Sequence, residues 1–454
     1  MFRITDENRK WWILTALGAG GGLIMLDETV IGVALPTIRH DLGMTEIAAH
    51  WTISIYMLIF ASLAAAAGKI GDLVGFRVLF TTGIAIFGAA SFLCGWAQSG
   101  DVLLVARAIQ GLGAAIIFPA SIAMLALVFP KDQRGMAIGI LAATGTVFLA
   151  AGPLIGGALT EILSWRWVFW INAPITLLII AIVSLSWSLP KKAAEGSIFD
   201  IKGFILMTLG LSLFVFAIMQ GASWGWTQIY ILSALIGGPI SLVAFYVLER
   251  QSEQPLIDVR LFHSASFSSA NLILFAGQFS KLSLVVFGAL FLQDKLGLSP
   301  FQSGLALLVC VAAFPVLSIP VGRLADLFGA RNLVLGGLAF ATLGMFWVAI
   351  ATTANSYVSL LPGLIIWGVG MPFCYAPTLR AMANSVPAEK QGEVSGIGVT
   401  SRLLGGTLGV ALSSTVLVAS GGFQDVFYLA AWVMLGALIF GWLVFDKRAA
   451  GSDA

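Results

Sequence analysis

Charged residues are scarce in this chain: they make up 10% of 454 residues, whereas 59% of the residues are hydrophobic. A water-soluble protein with so few charges would have almost nothing to cover its surface, so the composition excludes that class. It indicates instead a protein whose solvent is the lipid bilayer. The formal net charge of +2 gives no reason to expect a nucleic-acid partner.

Cysteine and histidine are also scarce, with three of each. The cysteines all fall inside apolar segments, without a disulfide framework or metal-ligand spacing: Cys94, Cys310 and Cys374. The histidines fall on separate elements, without the spacing of a metal site or a catalytic triad: His40, His50 and His263. Residues 221–225 fit a hydrolase nucleophile pattern but follow no strand. We therefore predict no enzyme, no metal site and no cofactor.

Long apolar runs, in contrast, fill the sequence. A segment needs about 20 mainly apolar residues to cross the hydrocarbon. The runs are too long for strands and lack the alternation of an outer-membrane barrel. We predict an all-α, polytopic membrane protein with fourteen spans, near residues 12–36, 51–68, 78–97, 102–129, 136–160, 166–189, 201–221, 229–248, 266–292, 300–322, 332–352, 357–380, 393–418 and 425–445.

The positions of lysine and arginine predict the orientation. If the N-terminus is inside, only Arg39, Arg166 and Lys295 among the loop cations face outward, which satisfies the positive-inside rule. Both chain ends are then cytoplasmic. The first apolar run is too long for a signal peptide and lacks a small-residue cleavage site, so we predict a retained helix.

An internal repeat relates the two ends of the chain. We predict that Gly68–Arg77 and Gly322–Arg331 are the loops after spans 2 and 10. They share one pattern of glycines, an aspartate and basic residues, 254 residues apart. Further matches pair residues 41–45 with 295–299 and 130–135 with 387–392. Spans 1–6 thus correspond to spans 9–14. Because each copy has an even number of helices, the copies run parallel, and a substrate site is expected between them.

The predicted domain organisation follows from this repeat. An N-terminal six-helix bundle covers residues 1–190, and a C-terminal six-helix bundle covers residues 266–454. Residues 191–265 hold spans 7 and 8 with their linkers, which belong to neither copy. We interpret them as an inserted two-helix hairpin.

Motifs in order along nearly the whole chain carry a resemblance to a known family. They are Leu26–Pro36, Trp51, Tyr56, Gly68–Arg77, Arg107–Gly113, Gly152–Gly157, Trp165–Asn172 and Leu292–Gly297. On these motifs the chain resembles the major facilitator superfamily and, within it, the fourteen-helix drug:proton antiporter branch. The resemblance implies the major facilitator fold with six, two and six helices. It also implies a secondary active transporter that exports drugs, dyes or lipophilic cations by alternating access, driven by the proton gradient.

The repeated segment and the glycines of span 5 are predicted to control the conformational change. Glycines allow tight turns and close helix approach, and Asp72 can bind a helix N-terminus or a basic side chain in one conformation. The family associates the span 5 pattern with antiport, although plain helix packing explains it equally well. The candidate gating residues are Gly68, Asp72, Gly75, Arg77, Gly152, Pro153, Gly156, Gly157, Gly322, Arg323, Asp326, Gly329 and Arg331.

Five ionisable residues fall within predicted spans, where each is costly unless it has a partner or a wet cavity: Asp27, Glu28, Arg107, Lys281 and Arg402. Asp27 lies about 15 residues beyond Trp12, roughly 22 Å along span 1, so it is no end cap. Burial favours the neutral form of a carboxyl group, and Asp27 matches the family position. We interpret Asp27 as the proton-coupling carboxylate. Glu28 lies about 100° further around the helix. The alternative is that Glu28 carries this role or shares it with Asp27.

Arg107, Gln110 and Gly111 share one face of span 4. Because arginine keeps its charge, Arg107 is predicted to be a counter-charge for a carboxylate in one conformation. A static buried salt bridge is the alternative.

Lys281 lies 254 residues after Asp27 and so occupies the equivalent position of the second copy. Three roles are open for Lys281. It can pair with Asp27 until substrate or a proton displaces it, or it can bind an anionic or zwitterionic cargo. In the third, its side chain only extends to the membrane–water interface. Arg402 favours the anionic cargo. A pocket for amphipathic compounds needs apolar surface with a few polar contacts. The candidate lining is Tyr56, Gln110, Phe275, Gln278, Phe279, Lys281, Phe287 and Arg402.

Three functions remain open on the sequence. The first is a drug:proton antiporter, and the second is an exporter of an anionic or zwitterionic metabolite, lipid or natural product that uses Lys281 and Arg402. The third is an uncoupled channel, scramblase or sensor on the same scaffold. The family implies a bacterial inner membrane. The expected partners are the lipid bilayer, protons and a small amphipathic substrate. The protein acts with a periplasmic adaptor or, without one, as a monomer.

Overall fold

The computed structural model describes residue 5 and residues 8–130, 133–187, 200–252, 255–328, 330–384 and 391–444. Helices joined by short connections make up this part of the chain, and it contains no strand. Fourteen of its helices are long and apolar enough to cross a membrane. The predicted all-α fold class and the predicted number of spans are therefore confirmed.

The chain divides into two compact units, Met1–Phe199 and Asp200–Ala454, which we call unit 1 and unit 2. The described helices of unit 1 are α1 (Arg9–Asp41), α2 (Glu46–Val74), α3 (Phe76–Trp96), α4 (Gly100–Val128), α5 (Arg134–Ile162), α6 (Trp167–Trp170) and α7 (Asn172–Ser186).

Capping residues explain where several of these helices begin and end. The Thr45 hydroxyl accepts a hydrogen bond from the Ala48 amide at the start of α2, and Ser99 does the same for Val102 at the start of α4. Gly75, which ends α2, has a φ of 89°, a backbone conformation that glycine adopts without strain. The buried length of α1 packs against α5 and α7.

The repeated motif is mostly helical, which corrects the prediction of a loop from residue 68. Helix α2 continues to Val74, because no residue between Gly68 and Val74 breaks it, and α3 begins at Phe76. In the second copy, Gly322 likewise lies inside a helix that runs to Phe328. Most of the motif therefore extends a membrane helix, and Gly75 makes the turn.

Unit 2 contains the inserted hairpin and the second copy of the repeat. Its described helices are α8 (Ile201–Trp224), α9 (Ile229–Gln251), α10 (Ala265–Leu282), α11 (Gly288–Leu290), α12 (Pro300–Val311), α13 (Ala313–Phe328), α14 (Ala330–Ala351), α15 (Tyr357–Asn384), α16 (Gln391–Ser420) and α17 (Phe423–Val444). Two π-helical segments, Ser283–Phe287 and Phe291–Lys295, flank α11 and continue the path of α10.

Predicted span 10 is divided into α12 and α13 at Ala312. Pro315 explains the division, because a proline has no amide hydrogen to continue the helical hydrogen bonds.

The hairpin formed by α8 and α9 packs on the second copy. The Thr415 hydroxyl of α16 donates a hydrogen bond of 2.8 Å to the carbonyl oxygen of Ile218 in α8. The compact unit therefore includes the hairpin, whereas the sequence-based boundaries at residues 190 and 265 stay a prediction.

Corresponding helix pairs in the two copies approach closely at glycines. A Cβ added at Gly156 of α5 would lie 2.6 Å from the Val30 carbonyl oxygen of α1. A Cβ added at Gly409 of α16 would lie 2.8 Å from the Phe279 carbonyl oxygen of α10. Both distances are too short for a side chain, so the internal repeat is visible in the packing as well as in the sequence.

Candidate functional site

A buried ion pair joins α1 to α4 inside unit 1. Arg107 Nη1 lies 2.7 Å from Asp27 Oδ2, and both side chains are fully buried. The Arg107 guanidinium also donates through Nε to the Thr52 carbonyl oxygen of α2 at 2.8 Å, and it lies 4.2 Å from the centre of the Tyr56 ring. Buried charges need such partners to offset the loss of water. The structure thus brings the predicted carboxylate and its predicted counter-charge together.

Gln110 completes the contacts of Asp27. Its Nε2 donates to Asp27 Oδ1 at 2.9 Å, and its Oε1 accepts from Arg107 Nη1 at 2.6 Å. Both carboxylate oxygens are therefore bound by side chains of α4. Glu28, the alternative carboxylate, is buried on the same helix with 3% exposure.

The hydrogen bonds continue from Gln110 into α3 and α7. Gln110 Nε2 lies 2.9 Å from Ser91 Oγ, and Asn172 Nδ2 donates to the same hydroxyl at 3.3 Å. Sequence reasoning missed both Ser91 and Asn172. Asn172 ends the motif Trp165–Asn172, which was a usable signal, whereas Ser91 is one small polar residue in an apolar span.

Two polar atoms of this network keep an unused hydrogen-bonding capacity. Among the described residues, neither Arg107 Nη2 nor Asn172 Oδ1 has a hydrogen-bond partner, although both atoms are buried. Buried polar groups are rarely left in this state, so each is a place for a water molecule or a moving polar group.

The glycines of span 5 pack directly beside the ion pair. A Cβ at Gly152 would collide with Thr29 and lie 3.3 Å from the Leu26 carbonyl oxygen. Thr29 Oγ1 in turn donates to the Leu149 carbonyl oxygen at 3.1 Å. Pro153 lies inside α5, and Gly157 is buried. These contacts fix α1 on both sides of Asp27, and the gating role of the motif stays a prediction.

The other gating candidates are described only in part. Arg77 is exposed at the start of α3, and Arg331 Nη2 donates to the Trp442 carbonyl oxygen near the end of α17 at 2.9 Å. Position Gly329 and the side chains of Asp72, Arg323 and Asp326 lie outside the described residues.

The remaining cavity candidates lie in unit 2. Lys281 and Arg402 are each 4% exposed, and Arg402 Nη1 donates to the Tyr375 hydroxyl at 3.3 Å. The Phe275 and Phe279 rings lie 6.2 Å apart on α10. Gln278 and Phe287 are also buried. Lys281 and Arg402 are thus both inside unit 2, and Arg402 contacts a tyrosine hydroxyl group there.

Comparisons with known proteins cover nearly the whole chain. The model of the Major Facilitator Superfamily matches residues 17–203, 201–410 and 267–453. Multidrug resistance protein Stp of Mycobacterium tuberculosis is 32% identical, over 90% of this chain and 76% of its own length. Puromycin resistance protein pur8 of Streptomyces alboniger is 31% identical, over 98% of this chain and 93% of its own length. Cephamycin export protein CmcT of Amycolatopsis lactamdurans is 33% identical, over 87% of this chain and 82% of its own length.

A solved structure shares the fold. It is the crystal structure of a bacterial homolog of the human lysosomal transporter Spinster, in an inward-facing and unoccupied conformation. The TM-score is 0.71 at 17% identity, covering 98% of this chain and 99% of that one. At this identity the likeness concerns the fold alone.

Proposed function

This chain belongs to the major facilitator superfamily, and we propose that it is a proton-coupled antiporter that exports small amphipathic compounds by alternating access. It is a multi-pass membrane transporter and not an enzyme. Relatives named for multidrug resistance, puromycin resistance and cephamycin export support an antibiotic or drug as cargo. The energy source in this proposal is the proton gradient.

The observation that carries the proposal is the Asp27–Arg107 pair. A carboxylate in the hydrocarbon is expensive, and it marks a proton or ion pathway more often than a structural contact. Asp27 is fully buried and bound through both oxygens, at 2.7 and 2.9 Å. Such a group holds two distinct states, one charged and bound, the other protonated and released.

Protonation of Asp27 is the proposed coupling step. It cancels the negative charge and so weakens the contacts with Arg107 and Gln110. Arg107 keeps the Thr52 carbonyl oxygen and the Tyr56 ring as partners, so it stays in place while α1 becomes free to move. The close glycine contacts between α1 and α5 transmit that movement. In the alternative, Glu28 carries this role or shares it with Asp27.

An exporter of anionic or zwitterionic compounds is the second candidate. It is favoured by the burial of Lys281 and Arg402 in unit 2. Two buried cations would attract an anionic group and repel a lipophilic cation. In this alternative Asp27 still couples the proton, and the change lies in the charge of the cargo.

The proposed location is a bacterial inner membrane with both chain ends in the cytoplasm. The distribution of loop lysines and arginines supports this orientation. The protein acts there as a monomer, or with a periplasmic adaptor if export crosses a second membrane.

The test uses the purified full-length chain in liposomes that contain a pH-sensitive dye. A pH gradient is imposed, and a lipophilic cation and an organic anion are added in turn to wild type, Asp27→Asn and Lys281→Gln. We expect the cation to trigger proton movement in wild type and Lys281→Gln, and none in Asp27→Asn.

The outcomes separate the candidates. Proton movement triggered by the anion alone, and lost in Lys281→Gln, would favour the anionic exporter. Substrate flux that ignores both the gradient and Asp27→Asn would contradict proton coupling and favour an uncoupled channel, scramblase or sensor.

A further inference from the structure

Two acidic side chains meet at the end of the hairpin where α8 begins and α9 ends. Asp200 Oδ1 accepts a hydrogen bond from the Gly203 amide at 2.9 Å and so caps α8. Glu249 Oε2 accepts from the Ile257 amide at 3.0 Å, in the segment that leads to α10. Each carboxyl group therefore uses one oxygen to hold the backbone.

The other two oxygens face each other. A Cβ added at Gly203 would contact Glu249 Oε1 and lie 2.7 Å from Asp200 Oδ2. The two oxygens therefore lie close together on the same side of Gly203. In the described part of the chain, neither oxygen has an N–H or O–H group of the protein as donor, and Glu249 has no exposed surface.

Neighbouring cations point elsewhere. Among the described residues, the cations on the elements that surround the pair are Lys202, Arg250 and Arg260. The first two are exposed, and Arg260 Nε lies 3.2 Å from Asp258 Oδ1. The charge acting on Glu249 is that of Asp200. Two ionised carboxylates in this position would repel each other, and among the described residues the backbone amides of Gly203 and Ile257, but no cation, offset that repulsion.

We propose that Asp200 and Glu249 bind one proton between them, and that they form a proton site separate from Asp27. With the proton, one carboxyl group becomes the donor and the other the acceptor of a short, charge-assisted hydrogen bond. The shared proton then ties the start of α8 to the segment after α9. This site does not depend on the transport mechanism proposed above.

Two conservative substitutions test the proposal. Asp200→Asn and Glu249→Gln each keep an oxygen for the backbone amide and supply a permanent N–H donor in place of the proton. The folded protein holds the shared proton, whereas the unfolded chain releases it at lower pH. Raising the pH therefore favours the unfolded chain. We expect the melting temperature of wild type to fall as the pH rises from about 5 to about 8, above the ordinary range of carboxyl groups, and each variant to lose most of that fall. Asp258→Asn, in which the lost carboxylate has its own cation, should keep the wild-type profile.

Infrared spectroscopy of the full chain gives a direct readout. At neutral pH the C=O band of protonated carboxyl groups should lose the same component in Asp200→Asn and in Glu249→Gln. Asp27→Asn should retain that component, which separates this site from the coupling carboxylate. If one variant does not fold, the other decides. An unchanged band together with an unchanged pH profile in the folded variants would overturn the proposal.

Discussion

Asp27 and Lys281 occupy equivalent positions in the two copies of the repeat, but different residues stand around them. Asp27 is bound by Arg107 and Gln110 of α4. The matching positions of α15, 257 residues later, are Leu364 and Trp367. The two copies therefore share their helix packing, while an apolar and an aromatic side chain replace the two residues that bind the carboxylate.

The backbones of the two helices differ as well. Helix α1 runs without interruption from Arg9 to Asp41, whereas α10 passes into a π-helical segment two residues after Lys281. Such segments are frequent at functional sites, because they loosen the regular hydrogen-bond ladder. The first copy thus holds its charge in fixed hydrogen bonds, and the second holds its charge next to an irregular backbone. This contrast suits a proton site in unit 1 and a more adaptable surface for cargo in unit 2.

The largest effect is expected when the carboxylate is moved from one copy to the other. In Asp27→Asn/Lys281→Asp, the acid stands in the copy that has Leu364 and Trp367 at the positions equivalent to Arg107 and Gln110. We expect proton-linked exchange to stay at the level of empty liposomes, because the moved carboxylate has lost the groups that hold its charged state.

Lys281→Asp alone is the matched control for this swap. It keeps Asp27 with its partners and should retain proton movement in the same liposome assay. Recovery of exchange in the double variant would show that position, and not the surrounding side chains, decides coupling.

Removal of Arg107 should give the next largest effect. Arg107→Gln leaves Asp27 buried without its counter-charge, a change that costs about 3–5 kcal/mol while the carboxylate is ionised. Protonation of Asp27 relieves the cost, so the variant should be less destabilised at pH 5 than at pH 8. Thermal unfolding in detergent at the two pH values measures this difference.

The equivalent position in unit 2 supplies the control. Leu364 is 2% exposed, and Leu364→Ala should cost about 2–5 kcal/mol through the cavity it leaves. Because this substitution leaves no charge without a partner, the loss of stability in Leu364→Ala should be the same at pH 5 and pH 8. Equal pH profiles for the two variants would contradict the role given to Arg107.

Much of this architecture could be predicted from the sequence, because hydrocarbon imposes simple rules. The length of each apolar run predicted a helix, and the cost of a buried charge identified Asp27 and Arg107 as candidate functional residues. Side-chain hydrogen bonds that join distant helices were harder to predict. Ser91 lies on α3, and no periodicity in its own span indicates that it faces Gln110.

Two other features escaped prediction for local reasons. The motif from Gly68 was predicted as a loop because its polar residues end the apolar run, yet polarity alone does not stop a helix. Glu249 was assigned to a linker because it stands at the end of a span. The groups that act on it, Ile257 and Asp200, lie outside that span.

Glycine substitutions should have a smaller effect that differs between the copies. Gly156→Ala and Gly409→Ala both push a Cβ against a backbone carbonyl oxygen, and we expect about 1–3 kcal/mol of destabilisation from each. Val30, which Gly156 faces, lies three residues after Asp27, whereas Gly409 faces Phe279. Gly156→Ala should therefore impair proton movement more than Gly409→Ala at similar thermal stability. An equal loss of proton movement in both would mean that the helix pairs serve packing alone.

The smallest effect is expected from single hydroxyl groups. Ser91→Ala removes the acceptor that Gln110 Nε2 and Asn172 Nδ2 share, which should cost about 1–2 kcal/mol because buried donors lose their partner. Ser283→Ala is the matched change in unit 2, where Ser283 Oγ lies 2.9 Å from Ser413 Oγ. Both variants should unfold at slightly lower temperature, but the pH dependence of transport should shift in Ser91→Ala alone, because Gln110 then holds Asp27 less firmly. A shift of the same size in Ser283→Ala would extend the proton site into unit 2 and remove the distinction between the copies.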